Sequence, residues 1–345
     1  MNLNNAAAPH IRHGDSTRIL MGNVIFPMLI IYASATFYYQ TRALMLLLVS
    51  VTVAVLADTL CVLIAGKRPN LRDFSPVVTG AMLPLLMPAS IDYWIVGVAA
   101  AFAIVVAKHP FGGVGHNVFN PAAAGLAFVT ICFGEKMFSY PIPRMPLPVF
   151  GSSADVITVT SPAFMLELGA APKYHVTEIF TGNFPGPMGC TNILVILGCL
   201  LYLVSRRTVR WAMPAAFFAT TALFAFLFPR IGGGFEVVEN VRLQSVLFEI
   251  TSGTLFFGGV FILSDPVTTP KRDLSKAVFA VAAGIIVMLF RRYGSFEGAF
   301  PFAVLLMNAT VWGFDMTGEI IAGFFRRMHF EDTGGKKLQK KTPRH

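Results

Sequence analysis

A chain of 345 residues that is 55% hydrophobic and only 13% charged, with a mean hydropathy of +0.65, carries about half the ~25% of charged residues usual in soluble domains. It lacks the polar surface to cover a water-soluble fold. The net charge of +9 does not indicate nucleic acid as a partner: the basic residues punctuate apolar runs and do not cluster with aromatics.

A membrane-spanning helix needs ~20 mostly apolar residues, and ten such stretches are expected in an all-α membrane protein. The first, 18–39, is too long for a signal-peptide core and has no small-residue cleavage site after it, so it reads as a retained helix. The second, 43–65, contains Asp58. A charge there is costly in lipid and becomes a candidate for an ion path. Its plainer reading is a local hydrogen bond to Thr52 or Thr59. The third, 74–89, is broken by three prolines and a glycine in "FSPVVTGAMLPLLMP", which is tolerated only where protein or a cavity satisfies the freed backbone.

The fourth span, 91–107, leads through "KHPFGGVGHNVFNPAAAG" (108–125) into the fifth, 117–133. This glycine-rich turn, with His116, Asn117 and Asn120, can hold an anion or a cofactor on backbone amides. Equally, its glycines only let helices pack closely. It is no Walker or Rossmann loop, since no GK[ST] follows and it enters a membrane helix. A loop over 134–189 then holds eight of the 22 prolines and the stretch "ADVITVTSPAF" (154–164). There the hydroxyls of Thr158, Thr160 and Ser161 follow Asp155. No G-x-S-x-G elbow exists and only His175 lies at nearby spacing, which excludes a hydrolytic triad.

Five more spans follow at 190–205, 211–228, 246–264, 275–290 and 298–325. The eighth begins around Glu249 and Thr251-Ser252-Gly253-Thr254 and closes on Asp265 in "SDPVTTPKR". Asp265 either caps the turn before Pro266 or contacts an ion or partner. The four cysteines form no CxxC pair and the histidines are scattered, so the cysteines read as apolar packing and no metal site is expected.

The chain resembles itself. "TRILMG" at 17 returns as "TNILVI" at 191, "VVTGAMLPLLMP" (77–88) as "EITSGTLFFGGVFILSDP" (249–266), and "NVFNPAAAGLAF" (117–128) as "GAFPFAVLLMNA" (298–309). Five spans per half is an odd number, so the halves are expected to run in opposite directions. Such inverted repeats place broken helices and polar sites at their interface. The expected organisation is a first five-helix repeat over 1–133, an outer loop over 134–189, a second repeat over 190–325 and a basic tail over 326–345. With the N-terminus inside, 19 of the 27 lysines and arginines fall on the inner side and 8 outside. Both termini are thus expected in the cytoplasm and the 134–189 loop outside.

"GGVGHNVFNPA", "FILSDPVTTPK" and "YGSFEGAFPFAVLLMNA" closely resemble signatures of the RnfD family, over about residues 18–325. RnfD subunits belong to bacterial inner-membrane ferredoxin:NAD oxidoreductases that translocate Na+ or H+, and NqrB is their relative in sodium-translocating quinone reductases. The resemblance implies a multi-pass electron-transfer subunit, inactive alone. Its partners would be other membrane and peripheral subunits of the complex, including iron–sulfur and FMN subunits. It also implies an FMN joined by a phosphoester to an outer-loop hydroxyl, installed by a flavin transferase at a motif D-x-x-(S/T)-G-A-(T/S). That motif falls on Asp155 to Ser161: Asp155 and Thr158 match, Val159 and Thr160 replace the glycine and alanine, and Ser161 takes the acceptor position with Thr160 as fallback. Glu249, Thr251, Ser252 and Gly253 are then plausible neighbours of the flavin ring, and His116, Asn117 and Asn120 further cofactor contacts. Asp58 and Asp265 remain the ion-path candidates. A second, non-covalent flavin is also compatible with the resemblance, and two alternatives stay open: a channel or transporter for a small polar solute, and a scaffold subunit that has lost its covalent flavin.

Overall fold

The computed structural model describes residues 17–68, 73–113, 115–149, 156–231, 240–294 and 297–334, with side chains from 18 to 317. It is mostly helical, with almost no strand. In chain order come α1 (Thr17–Tyr39), α2 (Thr41–Ile64), α3 (Ser75–Leu85), α4 (Tyr93–Phe102) and α5 (Pro121–Cys132). Then α6 (Gly134–Met137) precedes a two-residue antiparallel pair, β1 (Tyr140–Pro141) with β2 (Thr158–Val159), and two short helices, α7 (Pro162–Glu167) and α8 (Val176–Thr181). The remainder is α9 (Ile193–Ser205), α10 (Ala212–Leu227), α11 (Val241–Thr251), α12 (Leu255–Phe261), α13 (Asp273–Tyr293) and α14 (Ala299–Gly334).

Every expected span coincides with a helix or a broken helix. Five are long and apolar enough to cross a membrane: 18–39, 41–64, 93–111, 273–293 and 299–317. Only 17% of the best window in α2 is buried, and Leu48, Leu56, Leu60 and Ile64 stand exposed along it. Apolar side chains on an outward face are expected where the surroundings are lipid. The chain is a multi-pass, all-α membrane protein.

The other spans are short, and their ends explain why. At ~1.5 Å per residue the 11 residues of α3 reach ~16 Å, about half of a hydrocarbon core. The carbonyls this leaves behind are taken up by protein. Gly189 N–H donates to Leu85 O (2.8 Å) and Met188 N–H to Met87 O (3.0 Å), so the segment before α9 dips in to meet the end of α3. Only glycine permits this: a Cβ on Gly189 would lie 2.5 Å from the Cβ of Leu85. Arg42, 1% exposed, donates from Nε to Ala89 O (2.7 Å) and from Nη2 to Ser90 O (3.1 Å) and Ile91 O (3.0 Å). The eighth span is likewise split, α11 from α12, at Ser252–Thr254.

The packing of the first five long elements recurs in the last. Helix α2 packs on α3 and α4 as α10 packs on α11 and α13, and α4 meets α5 as α13 meets α14. Helix α1 also packs on α9, and α5 on α14.

Candidate functional site

Two polar junctions lie near opposite ends of α5 and α12. Asn120 and Thr130, one facing each junction, are ten residues apart, ~15 Å along a helix.

At the first junction Ser161 precedes Pro162, the opening residue of α7. Proline without an N–H suits that position, and a serine before it caps the helix. Its Oγ accepts from Phe164 N–H (3.1 Å), and the residue is 3% exposed. Thr158 and Thr160 are exposed. Together Thr158, Val159, Thr160 and Ser161 line one side of a cleft of about 300 Å³ whose other walls are Phe138, Ser139, Phe164 and Glu297. Asp155 lies outside the described residues.

Glu297, in the turn between α13 and α14, is a group that its sequence context does not single out. The Ser161 and Tyr140 hydroxyls hydrogen-bond to it. The residue keeps partial exposure, but its carboxylate is enclosed: Oε1 is buried with no partner. Burial pushes this carboxyl up to about 7, against the pull of Ser161, Arg291 and Tyr140, with the Glu167 charge adding to the rise. Glu297 also lines a narrower cavity of about 20 Å³ with Thr130, Tyr140, Gly253 and Thr254. The hydroxyl loop and the break of the eighth span therefore meet at one residue. Gly253 itself lies close to Ala163 of α7 and to Arg291.

Glu249 does not line the cleft. Its carboxylate, 1% exposed, is held by Arg230 Nε on one oxygen and by Arg291 Nη1 (3.0 Å) on the other. Arg291 also donates to Glu249 O (2.6 Å) and Ser252 O (2.8 Å), which caps the broken end of α11. Thr251 Oγ1 is turned back to Leu247 O (2.7 Å). Ser252 Oγ is buried without a partner. The triad stabilises the helix break, and only Gly253 and Thr254 of this segment reach the shared cavity.

The second junction gathers Asn117, Asn120 and Asp265. Asn120 caps α5 by accepting from Ala123 N–H (3.2 Å), and its amide donates to Asp265 Oδ2 (3.1 Å). Asn308 of α14 accepts from Asn120 N–H (3.0 Å) and donates to Thr268 O (3.2 Å). Asp265 accepts from Val267 N–H (3.1 Å) as well. It both caps its turn and ties the segment after α12 to the start of α5, and burial raises its carboxyl against these hydrogen bonds. Asn117 and Asn120 line a cavity of about 80 Å³ with Ser75, Thr79, Lys108 and Asp265. His116 is exposed nearby. None of these residues lines the Ser161 cleft.

Asp58 is not engaged with Thr52 or Thr59; the Thr59 hydroxyl bonds Val55 O (2.8 Å). Lys108 Nζ, in a π-helical turn that continues α4 and 2% exposed, donates to Asp58 (2.8 Å) and Ser75 Oγ (2.6 Å). His109 Nε2 lies 2.9 Å from the same Asp58 oxygen. A buried carboxylate with a lysine partner is far less costly than a lone one.

The helical bundle and its two polar junctions define the class, a multi-pass membrane protein with broken helices. The chain belongs to the NQR2, RnfD, RnfE family, whose model matches residues 4–319. It is 30% identical over 312 residues to the D subunit of the Na(+)-translocating ferredoxin:NAD(+) oxidoreductase complex from Acetobacterium woodii, covering 89% of this chain and 91% of that one. The D subunit of the ion-translocating oxidoreductase complex from Alcanivorax borkumensis is 30% identical over 326 residues, with 89% and 93% covered. The corresponding protein of Vibrio cholerae is 30% identical over 337 residues, with 89% and 94% covered.

Proposed function

We propose that the chain is the membrane electron-transfer subunit of an ion-translocating ferredoxin:NAD oxidoreductase complex, and that it carries a covalent FMN in the Ser161 cleft. The observation that carries this reading is similarity over nearly the whole length of this chain and of subunits from complexes with that name. It favours the redox role over a solute channel. The partners are then the other subunits of the complex. The setting is the bacterial inner membrane, with the Ser161 junction outside, the Asp265 junction inside and the five-helix halves inverted.

The cleft suits a flavin chemically. It offers an edge of hydroxyls for a phosphoester and two phenylalanine walls, Phe138 and Phe164, for an aromatic ring. Glu297 leaves one buried oxygen unpartnered at its floor. FMN when bound supplies one- and two-electron chemistry that side chains lack. The chain's own residues place it: Thr158 to Ser161 supply the tether, and the α7 cap fixes that tether against the bundle. Ser161 stands at the acceptor position of the motif, and Thr160 is the more open hydroxyl.

The test is co-expression with a flavin transferase, denaturation in SDS, in-gel flavin fluorescence and peptide mass mapping over residues 155–173. Fluorescence lost in Ser161→Ala and kept in Thr160→Ala identifies Ser161, and the reverse identifies Thr160. A dark wild-type band beside a fluorescent control substrate of the same transferase overturns covalent attachment.

A further inference from the structure

We propose that Glu297 is an exchangeable proton site, reached from water through the Ser161 cleft and connected to the break between α11 and α12. The proposal rests on four placements. The carboxylate is enclosed beneath the cleft, and the cleft is open enough to bring water to it. Two hydroxyls, from Ser161 and Tyr140, hydrogen-bond to the carboxyl. The second oxygen, Oε1, is buried and unpartnered. Beyond it, the cavity of about 20 Å³ is lined in part by Thr130, Tyr140 and Thr254. That is enough room for one water, which needs two to four polar partners.

The charges facing Glu297 come from each element packed around it. Arg291 at the end of α13 favours the ionised form, and Glu167 of α7 opposes it. Arg291 is itself shared with Glu249, whose other oxygen is held by Arg230. Tyr140, from β1, stays protonated because burial raises its phenol well above 10. The cationic help to Glu297 is therefore diluted, and two hydroxyl donors do not satisfy a buried carboxylate with four lone-pair sites. Neither protonation state is fully solvated by the site, which is the condition for titration near neutral pH.

The balance is simple. One proton from water in the cleft binds the carboxylate, and no bond other than O–H forms or breaks. A negative charge added in the cleft strengthens proton binding by Coulomb attraction. This last point alone rests on the proposed function, in which that charge is the tethered phosphate or an electron on the flavin. Glu297 would then take up a proton when charge arrives.

The experiment is infrared difference spectroscopy of the full chain in lipid nanodiscs, titrated over about pH 5–9, first without flavin and then with it. The flavin-free wild type should show a protonated-carboxyl band that titrates near 7 and is missing in Glu297→Gln. Ser161→Ala and Tyr140→Phe, which each remove a donor to the ionised form, should move the midpoint to higher pH. They keep the test valid if Glu297→Gln does not fold. No titrating carboxyl band in the wild type, or one that persists in Glu297→Gln with an unmoved midpoint in both hydroxyl variants, overturns the proposal. With flavin attached the midpoint should rise further. If the flavin-free band behaves as expected but no flavin attaches, the proton site stands and the proposed function loses its cofactor.

Discussion

Replacing Arg291 by methionine keeps most of the side-chain volume and removes one cation from the Arg230–Glu249–Arg291 triad. Three hydrogen bonds are lost, to Glu249 Oε2 (3.0 Å), Glu249 O (2.6 Å) and Ser252 O (2.8 Å). Glu249 is 1% exposed, so water does not replace them. Removing one partner of a buried pair costs about 3–5 kcal/mol. Arg230 still holds the other oxygen, which argues for the lower half of that range. At roughly 2 °C per kcal/mol for a long chain, the apparent melting midpoint in detergent should fall by about 6–8 °C. The exposed pair Lys136–Asp92 is the comparison: Lys136 is 47% exposed, and Lys136→Ala should cost about 1 kcal/mol or less. Glu249→Gln alone already takes the carboxylate from both arginines, so adding it to Arg291→Met should cost less than the sum of the two single losses, a coupling of about 1–3 kcal/mol. If Arg291→Met melts within a degree or two of wild type, or the double variant is strictly additive, the triad does not stabilise the break between α11 and α12.

Other expectations follow from the same contacts. Gly189→Ala forces a Cβ to 2.5 Å from Leu85 Cβ, and overpacking of about 1–3 kcal/mol should appear as a lower melting midpoint. Lys108→Met should destabilise more than Asp58→Asn, because it leaves a carboxylate mostly buried with only His109 beside it. The double variant should melt above Lys108→Met. Glu297 also sets a pH slope. Its folded carboxyl lies at about 7 against an ordinary 4.5, so the folded chain binds the extra proton. Its contribution is therefore greatest at low pH and is lost as pH rises from about 4.5 to about 7, by at most ~3 kcal/mol. Melting midpoints across that window should fall less steeply in Glu297→Gln, and an unchanged slope would refute the linkage.

The spans were legible because lipid imposes one rule on every residue of a crossing helix. The breaks were legible too, since prolines and glycines in 74–88 announce them. What filled the breaks was not. Arg42, Lys108, Arg230 and Arg291 enter a sequence reading as topology counts, yet each has a buried role. Their partners lie 33 to 106 residues away for Arg42 and Lys108, and 42 for the Arg291–Glu249 pair, and nothing local specifies such pairing. Asp58 illustrates the cost of local reasoning. A threonine next door was the obvious partner, but an i−4 carbonyl is always within reach of a helical threonine. Glu297 escapes notice because it sits in a short turn beside a span, where a glutamate ordinarily points to water. Its burial follows only once α7 and β1 fold over that turn. Glu297 is the residue through which the Ser161 cleft adjoins the cavity of Gly253 and Thr254.

Both junctions draw on separate parts of the chain, and this limits how they can arise. Asn120 of α5 meets Asp265 after α12 and Asn308 of α14. Ser161 and Tyr140 of the connecting loop meet Glu297 between α13 and α14. Of the helices involved, α5 and α14 pack against each other. A buried asparagine or carboxylate without its partner costs about 1–3 kcal/mol, so none of these segments is satisfied alone. The polar contacts therefore select the docked arrangement over the separated one, where lipid offers apolar surfaces no preference. One junction lies at the start of α5, at Asn120, and the other near its end, at Thr130.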